Sequence, residues 1–87
     1  MSFINIGFGN IINSQKIVSM ITSDSAPAKR IVATAKENGT IIDATQGRHT
    51  RCVIICDEHV VLSALMPDTI ANRISGNTTK EDIEYDA

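Results

Sequence analysis

Apolar and polar residues alternate along FINIGFGNII, residues 3–12. That period of two belongs to a strand with one buried face. Gly7 and Gly9 interrupt it, and Gly9-Asn10 is a tight-turn pair. The spacing therefore predicts an opening strand, a turn, and a second strand running on through QKIVSMIT, residues 15–22. The Gly7-x-Gly9 pair lacks a third glycine and precedes a strand pattern rather than a helix, so it reads as backbone bends in a hairpin and not as a dinucleotide fingerprint. Ser23, Asp24, Ser25 and Pro27 mark a helix start, with Ser25 as the cap. Ala28, Ile31, Val32 and Ala35 then fall at i, i+3, i+4 and i+7, one buried helical face. Gly39 supplies a left-handed stop.

From Thr40 the pattern is extended again. TIIDAT (40–45) predicts a short strand and Gly47 a turn. RHTRCVIICDE (48–58) predicts a long strand, and HVVLSAL (59–65) another, joined through a hairpin turn at DEH, residues 57–59. Pro67 and Asp68 open a short helix, PDTIANRIS, with Ile70 and Ile74 facing inward and Gly76 past its end. The order is β-β-α-β-β-β-α, an α+β fold with a small, mainly antiparallel sheet and two helices. Residues 1–76 are expected to form a single domain. Residues 77–87 are polar and acidic with no burial pattern, and a disordered tail is expected there.

Composition narrows the picture. A chain of 87 residues makes one core, built mostly from Ile, Val, Ala and Met, with no Trp, one Tyr and two Phe. So thin a core points to burial supplied by partner subunits. The N-terminus has neither the basic nor the long apolar region of a signal peptide, and no apolar run approaches the ~20 residues of a membrane span. The cytoplasm is the expected location, with no membrane partner. Cys52 and Cys56 share one face of a strand about 13 Å apart, too far for a disulfide, and lack further ligands at zinc-site spacing. Both read as buried thiols.

Charge is distributed unevenly. The net charge is −2, yet residues 1–51 carry six Lys or Arg against three acids, and residues 52–87 carry two against seven. Four of those seven lie in the terminal EDIEYDA, which leaves GRHTR (47–51) as the densest basic cluster on a mild surface. In a regular strand Arg48 and Arg51 would point to opposite faces. The hydroxyls of Thr45 and Thr50 and the amides near Gly47 would add neutral donors. The arginine fork matches phosphate, so nucleic acid is a natural target. Asp43 is placed to pair with Arg48 or Arg51. Neither His49 nor His59 has a neighbour making a nucleophile–base pair, and no metal, nucleotide or hydrolase motif is present. No catalytic residue, cofactor, metal or small-molecule substrate is therefore expected.

FINIGFGNII, SDSAPAKRIV, IIDATQGRHTR and HVVLSALMPDTIANRI, running from Phe3 to Ile74, resemble the RemA family of bacterial regulators of extracellular-matrix genes. The resemblance implies a LytTR-like fold. It also implies a double-stranded-DNA-binding protein that assembles into a homo-oligomeric ring of seven or eight copies and activates matrix (biofilm) and osmolyte-related operons. By position it carries DNA contacts onto Lys16, Arg48 and His49. Lys16 stands where arginine is usual, and His49 replaces the second arginine of a pair. Arg51 keeps the family's Thr-Arg position, and Arg30, in the first turns of the helix, is a further candidate. A ring that binds only protein, as a scaffold, and an enzyme with a site between subunits are the alternatives.

Overall fold

The computed structural model describes residues 3–76. In chain order they form β1 (Phe3–Asn5), β2 (Ile11–Asn13), a 3-10 turn (Ser14–Lys16), β3 (Ile17–Thr22), α1 (Ala26–Asn38), β4 (Ile41–Asp43), β5 (Cys52–Cys56), β6 (Val60–Ser63) and α2 (Pro67–Ile74). β1 and β2 make a two-stranded antiparallel ribbon, while the other strands form a four-stranded sheet in the order β3-β5-β6-β4. The fold is α+β, as the sequence pattern predicts. The tail expected beyond Gly76 lies outside the described residues.

β5 and β6 are central strands covered on both faces, which is why CVII and VVL read as unbroken apolar runs. Their side chains divide by the period of two. Cys52, Ile54 and Val61 join Ile4, Ile6, Ala44, Leu65 and Ile70 in one cluster, under the β1–β2 ribbon and α2. Val53 and Leu62 join Ala28, backed by Ile21, Val32, Ile41 and Val60, in a second cluster under α1. The result is three layers with the sheet in the middle. α1 begins where Ser25 Oγ accepts from the Ala28 amide at 3.2 Å. It ends at Gly39, whose φ of 70° is left-handed. Ala28 and Ala35 are its buried positions.

Four features depart from the sequence reading. The second strand is broken, because the Asn13 side chain accepts from the Gln15 amide at 3.0 Å and turns the chain before β3. β4 runs parallel to β6, since α1 carries the chain across the sheet from one edge to the other. Alternating hydrophobicity says nothing about strand direction, and the sheet is therefore mixed. Ile74, expected inside, is 41% exposed at the end of α2. The predicted strand over 48–58 shortens to Cys52–Cys56, which leaves the basic cluster in the loop before it.

Candidate functional site

Two turns stand next to each other at one end of the sheet. The first, Gly7–Asn10, is closed by the Asn10 amide donating to the Gly7 carbonyl at 3.0 Å. The second, Thr45–Arg48, is closed by the Arg48 amide donating to the Thr45 carbonyl at 3.0 Å. Phe8 and Gly9 have φ of 53° and 78°, and Gln46 and Gly47 have φ of 55° and 78°. Both turns thus have left-handed central residues, the signature of a type I′ turn. They are fastened together by Asn10, whose Nδ2 donates to Gly7 O at 2.8 Å and Ala44 O at 3.2 Å.

The basic loop leaves the second turn and is held at its far end. The Arg51 amide donates to Ser63 O at 2.9 Å, and the Ser23 hydroxyl donates to Thr50 O at 2.6 Å. With its backbone fixed, the loop exposes Arg48, His49 and Arg51. All three line one cavity of about 350 Å³ together with Phe8 and Ala64. No acid lines that cavity, and among the described residues none of the three side chains is within ion-pair distance of a carboxylate. The Arg48 guanidinium carbon lies 5.9 Å from the centre of the Phe8 ring. The loop conformation thus gathers on one site the two arginines that a regular strand would have separated.

Asp43 does not pair with either arginine. Its Oδ1 accepts from the Thr45 amide at 2.9 Å and the Thr45 hydroxyl at 2.6 Å, an Asx turn that launches the loop. Those two bonds, hydroxyl first, hold the Asp43 carboxyl below the usual carboxylate range. The buried Thr45 hydroxyl is therefore committed to the loop's frame and is not a free donor in the site.

Lys16 and Arg30 lie elsewhere. Lys16 ends the 3-10 turn and makes a 3.7 Å ion pair with Asp57. It shares a cavity of about 300 Å³ with Cys56, Asp57, Glu58 and His59. That cavity is at the far end of β5 from Arg51, about 17 Å along the strand. Arg30 is exposed on α1, beside Ile31, Thr34 and Asn38. One copy of the chain therefore unites Arg48, His49 and Arg51, but not Lys16 or Arg30. Phe8 was not among the residues singled out from the sequence. The signal lay in GFG, where a bulky aromatic occupies a turn position that glycine or asparagine normally takes.

Both cysteines are free. Burial pushes the Cys52 thiol up to about 12. Burial, with Asp57 next to it, also raises Cys56, which is half-buried rather than enclosed.

The fold and site define a small α+β protein that presents an uncompensated cationic loop. Residues 3–74 match the family model described as RemA-like, extracellular matrix regulatory protein A-like. A protein of Geobacillus kaustophilus named "Putative regulatory protein" is 51% identical over 78 residues, 88% of this chain and 90% of its own. A protein of the same name in Carboxydothermus hydrogenoformans is 49% identical over 83 residues, covering 94% and 95%. One from Clostridium botulinum is 49% identical over 84 residues, covering 95% and 92%. The chain belongs to the RemA-like family.

Proposed function

We propose that this chain is a DNA-binding transcriptional regulator that works as a ring-shaped homo-oligomer and activates extracellular-matrix and osmolyte-related operons. Its role is regulatory rather than catalytic, in keeping with the family and with the names its relatives carry. The observation that carries the reading is the cavity of Arg48, His49 and Arg51, three donors with no acid lining it. A site so built favours a polyanion. The arginine forks suit phosphate oxygens, and the imidazole adds a further N–H donor.

One such loop is a weak site, and repetition around a ring multiplies it. Both edge strands of the four-stranded sheet support assembly. β3 exposes Val18 (67%) and β4 exposes Ile42 (46%), next to backbone groups that have no sheet neighbour. Lys16 and Arg30 act from separate patches and contribute through the assembled surface, not through the Arg48 loop of their own copy. The site of action is the cytoplasm, where the DNA is. Among the described residues no helix is long and apolar enough to cross a membrane.

Fluorescence anisotropy with a labelled mixed-sequence duplex, alongside light scattering, tests the proposal. Micromolar or tighter binding by a species several times 9.4 kDa supports it. A large assembly that leaves the duplex free would favour the protein-binding scaffold instead.

A further inference from the structure

Phe8 occupies a position that its side chain disfavours. At φ 53° in a type I′ turn, asparagine, aspartate and glycine are preferred, and a Cβ bearing a large ring is sterically penalised. Core packing does not account for the ring, because Phe8 belongs to neither buried cluster. Its surroundings are nonetheless rigidly built. The Gly7 amide donates to Asn5 Oδ1 at 2.7 Å, Asn10 fastens the turn to Ala44, and the buried Ser63 hydroxyl donates to Ile6 O at 2.7 Å. These bonds fix the turn relative to the loop that bears Arg48, and the ring faces the Arg48 guanidinium across the cavity. Strain retained at a half-exposed residue beside two arginines and a histidine is the pattern of a site feature.

We infer that Phe8 is a positioning residue: its ring holds the Arg48 guanidinium over the cavity before a phosphate arrives. The inference rests on the phosphate-binding reading of the site and adds a residue to it. An arginine resting on an aromatic face is attracted by the ring quadrupole and gives up side-chain freedom in advance. Less freedom is then lost when the fork closes on an anion.

The test compares Phe8→Asn, Phe8→Leu and Phe8→Tyr in the full chain by three measurements. These are thermal melting, affinity for a mixed-sequence duplex, and the NMR order parameter of the Arg48 Nε–Hε group in the free protein. Phe8→Asn should melt higher than the parent, because the turn conformation suits asparagine. It should also bind DNA about two- to five-fold more weakly, the size of an exposed cation–π contact. Phe8→Leu keeps the bulk without the ring and should show the same loss of affinity. Phe8→Tyr should bind as the parent does. The Arg48 group should be ordered in the parent and in Phe8→Tyr, and mobile in Phe8→Asn and Phe8→Leu.

Unfolding of Phe8→Asn, or unchanged affinity in Phe8→Leu, would overturn the assignment and make the ring a structural element. If the parent binds no duplex at all, the DNA reading falls, and the Arg48 order parameter still decides the role of Phe8. Equal mobility of Arg48 in parent and Phe8→Leu overturns it.

Discussion

Replacing Ser63 with alanine removes a single oxygen and should destabilise the protein severely. Ser63 is fully buried in β6. Its hydroxyl donates to the Ile6 carbonyl at 2.7 Å and accepts from the Leu65 amide at 3.1 Å. It therefore joins the sheet to the segment that leads into the Phe8 turn. Alanine leaves a carbonyl and an amide behind, on residues that are themselves buried. Each unsatisfied buried group costs about 1–3 kcal/mol, so the pair amounts to about 2–6 kcal/mol. Typical domains have ~0.05–0.15 kcal/mol of stability per residue, which for this chain gives roughly 4–13 kcal/mol. The substitution thus removes a large fraction of the total. A loss of 1 kcal/mol lowers the melting temperature of a domain this size by about 4–8 °C, so a fall of at least ~8 °C is expected. Calorimetry or circular-dichroism melting at matched protein concentration measures it, since melting of an oligomer depends on concentration. Ser19→Ala, at an exposed position in β3, is the control and should stay within about 0.5 kcal/mol. A fall of under ~3 °C in Ser63→Ala would refute the reasoning, because both groups must then have found other partners.

Two further outcomes follow from the site's surroundings. In the native protein a thiol reagent should modify Cys56 slowly and Cys52 only on unfolding, because Cys52 is fully buried and its thiol is pushed up to about 12. Equal rates at the two positions, read by mass spectrometry, would contradict this. Asp43→Asn should lower the melting temperature by a few degrees at pH 7. The folded Asp43 carboxyl is held below its usual value, so its contribution is present above the unfolded pKa and lost as pH falls through the folded one. The gap between parent and variant should therefore close below about pH 4, and a gap that is independent of pH would sink the argument.

Local signals were legible in the sequence, and the signals that needed a neighbour were not. The Ser25 cap, the buried Ala28 and Ala35, the Gly39 stop and the turn at Gly47 each depend on residues close in the chain, and all appear as expected. The direction of β4 depends on where α1 delivers the chain, which the TIIDAT pattern does not encode. The loop over 48–51 looked like strand because Thr and Arg tolerate extended backbone. The ladder with β3 nevertheless stops at Thr22 opposite Cys52, and Ser23 takes the Thr50 carbonyl with its side chain. That stop gathers Arg48, His49 and Arg51 at one cavity. The cationic residues were thus readable from sequence. Their convergence, the distance to Lys16, and the contact of Arg48 with the Phe8 ring are products of tertiary structure.

The central claim is that the Arg48 loop binds the phosphate backbone, and the salt dependence of binding tests it most directly. Affinity for a mixed-sequence duplex should be measured from about 50 to 200 mM salt for the parent and for Arg48→Ala/Arg51→Ala. Each neutralised phosphate contributes about −0.9 to the slope of log K against log salt, so the double variant should have a slope shallower by close to two units per engaged subunit. Its affinity should fall by at least about tenfold, and by a similar factor on unrelated sequences. A double variant that keeps both the slope and the affinity of the parent would show that DNA is held elsewhere on the protein.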